Sequence, residues 1–278
     1  MSRAEECRDN LLLKAKALPD GYTKIVGRGE KGLKHLEFGL LRLPSGEWSG
    51  DTGKCEQALD IYSGVISLEA DGGFSRDRLG GRRNVFDGLP TVIYLPPGAK
   101  YRVKVLAGPV EISVWSAAAP KFEGKPAVIG PDDIIKTSPG KGNWRRDVYT
   151  ALGNNVEAAK LIFGETVNPP GNWSSAPPHK HDAFIPPNEV PLEEIYYFQL
   201  NPSQGFGVIR VYTQPNDPGP MDETYVVENG DTVVIPRGYH PVAAAPGYTV
   251  NYTWAMAGEI RRPGACSDDP RHAWLKNT

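Results

Sequence analysis

The sequence has few of the residues that hold small proteins together covalently. Its 278 residues include three cysteines, Cys7, Cys55 and Cys266, an odd number at wide spacing and without a Cys-x-x-Cys pair. This pattern excludes a disulfide framework and a cysteine-based zinc ribbon. A chain of this length can bury a sizeable core without them. Unpaired thiols suit a reducing compartment, and we expect a cytoplasmic protein.

Long apolar runs and an excess of charge are lacking as well. No run of about 18 apolar residues is present, so no membrane span is predicted. Residues 1–10 are charged and do not form a signal peptide. The net charge is −2, from 31 basic and 33 acidic residues. Without a basic stripe, a nucleic-acid partner is not expected.

Three charged stretches are interpreted as ordinary solvated surface. They are the pair Arg82-Arg83, the basic segment 141–146 and the acidic pair Asp268-Asp269 near the C-terminus. The glycine-rich segment 72–88 is left open between a lid and a disordered loop.

Glycine and proline are abundant, with 31 and 26 residues, and they fall between short apolar runs. This distribution predicts many short strands joined by tight turns, and therefore an all-β fold. The exception is residues 3–18, where an apolar stripe predicts a short N-terminal helix that ends before Pro19.

One pattern occurs twice in the chain. An apolar run leads into a Pro-x-Gly turn at residues 91–98 and again at residues 232–238, and each is followed by a strand with one tryptophan, Trp115 or Trp254. The offset of about 140 residues indicates a duplicated β-barrel. A polar stretch at residues 121–154 separates the copies, which predicts domains at 1–140 and 141–278.

Only five histidines are present, and two of them form the sequence His179-Lys180-His181 after two prolines. Residues i and i+2 of a strand point to the same face, so both imidazoles can reach one metal ion. Imidazole ligands suit Zn, Mn, Fe, Ni or Cu. His35 and His272 have no partner by spacing and are interpreted as structural or surface residues.

Two further residues extend this pattern. Glu194 begins an aromatic strand and would share a face with Tyr196 and Phe198, where a carboxylate is costly unless a metal neutralises it. His240 follows the turn at residues 236–238. Each feature alone is more often a surface or loop residue, but together and in this order they predict a metal site.

This order of ligands resembles the metal signature of the cupin family, whose small antiparallel barrel holds one ion by three histidines and one glutamate. The resemblance implies His179, His181, Glu194 and His240 as ligands. The sequence departs from the usual spacing, because residues 182–193 separate the second histidine from the glutamate. Glu194 is preferred to Glu193 because it leads directly into the aromatic strand.

A narrower resemblance is to the 5-deoxy-glucuronate isomerases of inositol breakdown, relatives of the 4-deoxy-L-threo-5-hexosulose-uronate ketol-isomerases. It rests on residues 169–182, 192–198, 204–213, 222–224 and 236–243 and is dense over residues 160–262. It implies a bicupin of the jelly-roll type, with a degenerate N-terminal barrel that binds no metal. The C-terminal barrel would hold one divalent ion, zinc or manganese.

The resemblance also implies a reaction, the conversion of 5-deoxy-D-glucuronate into 5-dehydro-2-deoxy-D-gluconate through a metal-stabilised enediol. Arg210 and Tyr212 share one strand face and are the candidate catalytic residues. Arg210 would pair with the substrate carboxylate, and Tyr212 would relay a proton or donate a hydrogen bond. Glu223 and Lys180 are further candidates. The ordinary interpretation of all four is packing or solvent exposure.

Other functions stay open at this stage. A cupin dioxygenase uses the same ligand set, and a sugar-binding cupin without turnover or a storage bicupin would share the fold. The absence of a helix-turn-helix pattern argues against a transcription regulator, and the absence of a signal peptide argues against a storage protein. Cupin barrels often pair through sheet edges, so the resemblance makes a homodimer an expected assembly.

Overall fold

The computed structural model describes residues 10–278, and these residues form an all-β fold, as predicted. The predicted helix at 3–18 lies partly outside the described residues. Within them it is wrong, because residues 10–18 contain no helix and include a strand, β1 (Leu12–Leu13). This strand pairs Leu12 with Val233 at a sheet edge, so tertiary pairing overrides the helical pattern. No α-helix, and hence no helix able to cross a membrane, occurs among residues 10–278.

The N-terminal half contributes one eight-stranded antiparallel sheet. Its strands are β2 (Gly21–Val26), β3 (Leu36–Leu43), β4 (Glu47–Asp51), β5 (Cys55–Ala70), β6 (Phe74–Gly80), β7 (Val92–Leu95), β8 (Lys100–Ala118) and β9 (Ala127–Ile129). Their order is β2-β3-β8-β5-β7-β9, with β4 paired to β8 and β6 paired to β5. Short 3₁₀ turns lie at Asp71–Gly73, Gly142–Trp144 and Ala273–Asn277.

The C-terminal half contributes three sheets. Its strands are β10 (Ile135–Thr137), β11 (Asp147–Leu152), β12 (Ile162–Asn168), β13 (Trp173–Ser174), β14 (His179–Lys180), β15 (Glu193–Asn201), β16 (Phe206–Tyr212), β17 (Asp222–Glu228), β18 (Thr232–Ile235), β19 (Val242–Ala244), β20 (Thr249–Ala257) and β21 (Ser267–Asp268). The orders are β1-β18-β15-β20-β12-β11-β10, β13-β19-β16-β17 and β14-β21. Over the described residues these pairings close no continuous barrel, so the barrel form of the two predicted cupin units stays a prediction.

The predicted duplication is visible in the strand pairing. In the first half β5 pairs with β7 and β8, and in the second half β15 pairs with β18 and β20. The two tryptophans do not correspond, however. Trp254 lies opposite Tyr196 in the C-terminal core, whereas Trp115 lies opposite Ala58 in the core between the halves. A shift of one residue moves a side chain to the other face of a sheet.

The two halves pack through a shared aromatic core. Phe38 stacks on Trp115 with ring centroids 4.1 Å apart, and Phe163 and Tyr197 from the second half pack against them. All of these side chains are buried. This shared core fixes the face of β15 that carries Ile195 and Tyr197, so the alternate residues Glu194 and Tyr196 face the C-terminal core.

Two buried glutamates join the halves reciprocally. Glu56 on β5 accepts hydrogen bonds from the backbone N–H groups just before β12, at residues 159–161, over 2.6–2.7 Å. Glu193 on β15 accepts hydrogen bonds from the backbone N–H groups at residues 34–36, at the start of β3, over 2.6–2.7 Å. Such charge-assisted bonds satisfy both the buried carboxylates and the backbone N–H groups that donate to them.

The segment 72–88 is neither a lid nor disordered, because it contains β6 and then a buried arginine. The Arg82 guanidinium donates to Asp60 at 3.0 Å and to Glu165 at 2.6 Å, so its interpretation as solvated surface is wrong. Burial and then the charge of Glu165 hold the pKa of Asp60 well above its ordinary value. Arg83 does face solvent, where it pairs with Asp87.

Candidate metal centre

The His-x-His segment is held by the C-terminal end of the chain. β14 pairs with β21, with His179 opposite Asp268. Next to it, the backbone N–H of Asp269 donates to the Pro178 carbonyl at 2.7 Å, and the fully buried Asp269 carboxylate accepts from the Tyr212 hydroxyl at 2.8 Å. The interpretation of this acidic pair as a solvated tail is therefore wrong, because these residues fix the strand that carries the first histidine.

Residues 182–193, which lengthen the cupin spacing, form a loop that returns to its starting point. The Leu192 N–H donates to the His181 carbonyl at 2.8 Å, and His181 Nδ1 lies 2.8 Å from the Leu192 carbonyl. The buried Glu189 carboxylate closes the loop by accepting from the backbone of Asp182 and Ala183, each at 2.8 Å. The insertion therefore leaves His181 and Glu194 side by side.

Three of the four predicted ligands converge in the C-terminal core. Glu194 Oε2 lies 3.1 Å from His181 Nε2 and 3.3 Å from His240 Nε2. The ligand atoms of these three buried residues all lie within 4.8 Å of one another, close enough to hold one metal ion. Glu193 points the other way, toward residues 34–36, so only Glu194 joins the cluster.

The hydrogen bonds of the two histidines determine which nitrogen is available. Carbonyls only accept, so the contact of His181 Nδ1 with Leu192 and the 2.9 Å contact of His240 Nδ1 with Gly238 place a proton on each Nδ1. In the neutral rings both Nε2 lone pairs then point at the Glu194 carboxylate. His240 Nε2 is buried and has no hydrogen-bond partner among residues 10–278. The two Nε2 lone pairs and the carboxylate repel one another unless a cation lies between them. These three groups therefore fit a metal ion as its ligands.

The pKa shifts reflect the same crowding. Burial lowers the pKa of His240 to about 3. Burial also acts to lower the pKa of His181, but the Glu194 carboxylate, which attracts a proton or another cation to Nε2, outweighs burial and raises the pKa. Neutral imidazole is the form that binds metal, and burial favours that form in His240.

His179 lies at the edge of this cluster. Its ring centroid is 4.9 Å from that of His240 and 6.4 Å from that of His181. Burial, followed by the charges of His181 and Arg146, lowers the pKa of His179 to about 3. It is not among the three residues whose ligand atoms converge, so its role as fourth ligand stays a prediction.

The turn before His240 needs a glycine at position 238. Gly238 has φ +92°, and a Cβ there would lie 2.6 Å from the Tyr212 carbonyl oxygen. Its N–H donates to the Asp182 carboxylate at 2.8 Å, and its carbonyl accepts from His240. This residue therefore ties the turn to the His-x-His loop and orients the imidazole.

Arg210 and Tyr212 lie on a different face from the histidine cluster. On β16 the alternate residues Ile209 and Val211 enter the core that contains Tyr196, so Arg210 and Tyr212 point outward. Arg210 makes two 2.6 Å hydrogen bonds to Asp222 and lies over the Tyr212 ring. Both side chains line an outer cavity of about 450 Å³. Their catalytic role stays a prediction, and none of these contacts reaches the histidines.

The two further candidates are also engaged away from the histidines. The Lys180 ammonium pairs with Asp182 and with Glu189, the latter at 2.8 Å. Glu223 lies on β17, opposite Val211 in the sheet register. Neither position indicates a proton-transfer role at the cluster.

The sequence interpretation missed the polar groups that surround the cluster. Tyr196 lies edge-on to His240 with ring centroids 5.8 Å apart, and it packs on Tyr252 at 4.4 Å. The Tyr196 hydroxyl lies 3.4 Å from Ser175 Oγ. Arg146 is half-buried beside them and donates to the Ala176 carbonyl at 2.9 Å. The alternation along β15 placed Tyr196 on the same face as Glu194 but gave it no role, and no local signal distinguishes Arg146 from its exposed neighbours.

Fold and site together define a class, an all-β protein of cupin-like architecture with a His/Glu/His group in one half that could hold a metal ion. Residues 11–275 match the model of the KduI/IolB family, and the chain belongs to that family.

Relatives and solved structures support this assignment. The chain is 42% identical over 201 residues to 5-deoxy-glucuronate isomerase of Geobacillus thermodenitrificans, covering 72% of this chain and 71% of the relative. It is 35% identical over 254 residues to the protein of that name from Bacillus licheniformis, covering 90% and 91%. The crystal structure of an IolB-like protein from Salmonella typhimurium superposes with a TM-score of 0.89 at 31% identity, covering 96% and 99%.

A more distant likeness shows the fold alone. Oxalate decarboxylase of Lactobacillus farciminis superposes with a TM-score of 0.65 at 12% identity, covering 97% of this chain and 90% of that one. The similarity extends over both halves of the chain.

Proposed function

We propose that this chain is an isomerase that interconverts the aldose and ketose forms of a sugar acid, 5-deoxy-D-glucuronate and 5-dehydro-2-deoxy-D-gluconate, in myo-inositol catabolism. The observation that carries the proposal is the convergence of two imidazole Nε2 atoms on one buried carboxylate. The curated relatives that bear the isomerase name support the substrate.

We infer that His179, His181, Glu194 and His240 hold one divalent ion, zinc or manganese. When bound, the ion would act as a Lewis acid that stabilises negative charge on two adjacent substrate oxygens. The Nδ1 atoms of His181 and His240 donate hydrogen bonds to backbone carbonyls, and these bonds fix the orientation of the two rings.

The aromatic wall of the core would orient the sugar. Burial raises the pKa of Tyr196 well above its ordinary value, so its hydroxyl stays protonated and can donate to a substrate oxygen. Tyr252 packs on it, and burial raises the pKa of Tyr252 as well. These rings exclude water while they hold polar atoms toward the cluster. The reaction moves one proton from C2 to C1 and one from O2 to O1, so it balances without another reactant.

The experiment pairs elemental analysis of the purified protein with a turnover assay on 5-deoxy-D-glucuronate. We expect about one zinc or manganese per chain, loss of turnover on chelation, and recovery when the ion is restored. Metal without turnover of this substrate would contradict the isomerase assignment. Oxygen consumption in the same assay would favour a dioxygenase, and sugar binding without turnover would favour a binding protein.

Three smaller parts of the proposal concern the chain as a whole. We propose that the chain has two cupin units, predicted at residues 1–140 and 141–278. Sheet membership changes between β9 and β10, which supports a boundary slightly earlier, at residues 130–134. The free thiols of Cys55 and Cys266 support a reducing, cytoplasmic location. Size-exclusion chromatography with light scattering would test the expected homodimer.

A further inference from the structure

We propose that Arg146 anchors the carboxylate of the sugar-acid substrate, at the end of the carbon chain remote from the metal ligands. This inference rests on the proposed function and assigns a specificity-determining residue to the same site. It replaces Arg210 in that role, because Arg210 is already paired with Asp222 on the outer face of the sheet.

Arg146 is placed beside the ligand cluster by its backbone and by one hydrogen bond. It immediately precedes β11, where Val148 packs against the C-terminal core. Its Nη1 donates to the Ala176 carbonyl at 2.9 Å. Ala176 lies in the segment between β13 and β14, which also carries Ser175 toward Tyr196 and then leads into His179.

The guanidinium has no acidic partner. Its hydrogen bonds within residues 10–278 go to the carbonyls of Ala176 and, at 3.5 Å, Trp144. No carboxylate in this part of the chain lies within ion-pair distance of it. Burial lowers the pKa of Arg146, and an arginine nevertheless stays charged at neutral pH. A half-buried cation without a counter-ion favours an anionic ligand that supplies one.

A neighbouring polar atom is also without a partner. Asn168 Oδ1 is buried and has no hydrogen-bond partner among residues 10–278, and the buried Ser174 hydroxyl contacts Tyr252 of the aromatic wall. Asp147 pairs with Val167, so continuing the register by one residue places Arg146 beside Asn168. Ser174 lies on the inner face of β13, one residue before Ser175. The guanidinium can bind the carboxylate of a sugar acid, and the flanking polar groups can hydrogen-bond to its hydroxyls.

The hydrogen bonds support this placement. Arg146 donates to the carbonyl of Ala176, and the preceding residue, Ser175, has its hydroxyl 3.4 Å from the Tyr196 hydroxyl. The guanidinium therefore binds the segment that lies against the aromatic wall of the site. A substrate held at its carbonyl end by the metal ligands would present its opposite end to this wall.

The test compares Arg146→Gln and Arg146→Lys with Arg145→Gln. The control Arg145 is the adjacent arginine, exposed and paired with Asp147 at 3.0 Å. We expect Arg146→Gln to raise KM for 5-deoxy-D-glucuronate about 10- to 100-fold with unchanged metal content, because charge-assisted bidentate bonds are lost. Arg146→Lys keeps the positive charge but lacks the paired N–H donors of the guanidinium, so it should recover part of this loss. Arg145→Gln should match the wild type.

A second substrate separates an anchor from a structural support. The neutral analogue 5-deoxy-D-glucose lacks the carboxylate, so wild type and Arg146→Gln should convert it with similar kcat/KM. If Arg146 only holds the Ala176 segment, both substrates will suffer equally and metal content will fall, which would overturn the inference. A normal KM for the acid in Arg146→Gln would overturn it as well.

Binding of D-glucuronate, measured by calorimetry, keeps the test independent of turnover. Wild type that binds D-glucuronate but fails to isomerise 5-deoxy-D-glucuronate would contradict the proposed reaction while leaving the anchor testable. In that case Arg146→Gln must weaken D-glucuronate binding and Arg145→Gln must not. Equal binding by all three proteins would contradict the anchor alone.

Discussion

The two halves of the chain share one strand order and differ in what fills their cores. The N-terminal core is packed with aliphatic side chains such as Leu59, Ile93 and Ile112. The C-terminal core contains Tyr196, Phe198 and a buried cluster of two histidines and a glutamate. The same backbone therefore supports a dense hydrophobic filling in one copy and a polar site in the other, which separates the requirements of folding from those of function.

The strand register shows where the copies diverge. Glu194 lies opposite Ile235, the last residue of β18, and Gln57 lies opposite Leu95, the last residue of β7. Gln57 is therefore the counterpart of Glu194. One residue earlier, Glu56 and Glu193 also correspond, and both bind three backbone N–H groups of the other half. In the C-terminal half, adjacent glutamates thus differ in their contacts: Glu193 binds backbone N–H groups, and Glu194 lies in the cluster that we propose holds a metal ion.

The largest expected effect comes from removing the C-terminal ligands. Glu194→Gln, His181→Ala and His240→Ala should each abolish tight metal binding and reduce kcat/KM by roughly 10³-fold or more, because several kcal/mol of charge stabilisation is lost. Elemental analysis and the isomerase assay check this. The matched control is Glu193→Gln, which should keep its metal. Full metal content in Glu194→Gln would show that the converging acceptors are not the ligands.

The sequence predicted much of this cluster because its signals are local. The spacing of His179 and His181 and the glycine turn before His240 each depend on a few adjacent residues. The sequence could not assign Arg82, Arg146 or Asp269, which were interpreted as solvated. Their partners lie far along the chain, as when Arg82 binds Glu165, so no local pattern reveals their burial.

The next largest effect is a loss of stability when Glu56 or Glu193, the two glutamates that join the halves, is replaced. Glu56→Gln and Glu193→Gln should each lower the free energy of unfolding by about 2–3 kcal/mol. The amide oxygen can keep two of the three bonds as neutral ones, but the third backbone N–H then faces an NH₂ group that cannot accept. Urea denaturation measures both. Similar losses in the two variants, with unchanged metal content, are expected. A large loss in only one variant would contradict the proposed equivalence.

A smaller, pH-dependent effect concerns a support found only in the C-terminal half. Burial acts to raise the pKa of Asp269, but hydrogen bonds from Arg271 and Tyr212 hold it well below its ordinary value. A lowered folded-state pKa stabilises the protein above the unfolded pKa of about 3.9, and this stabilisation is lost as the pH falls. Asp269→Asn should therefore cost about 1–2 kcal/mol at pH 7.

The same comparison at acid pH provides the check. Near pH 3 the ionised Asp269 carboxylate contributes less to the free energy of unfolding of the wild type. The difference in unfolding free energy between wild type and Asp269→Asn should therefore shrink. Denaturation curves for both proteins at the two pH values measure it. A difference that grows toward acid pH would mean that the carboxylate does not hold the tail against β14.

The smallest effect is expected from copying the carboxylate into the N-terminal half. Gln57→Glu restores the counterpart of Glu194, and the Tyr101 hydroxyl, which donates to Gln57 at 2.9 Å, can bond to the new side chain. Stability should change by less than about 1 kcal/mol, and metal content should stay near one ion per chain. Metal content should not rise, because residues 99–101 supply no imidazole and no His-x-His strand precedes them.

Adding Lys100→His to this variant would supply one ring, whereas tight binding of a divalent ion needs several. A second tightly bound ion in either variant would show that the glutamate, rather than the strand held by β21, is what separates the two halves.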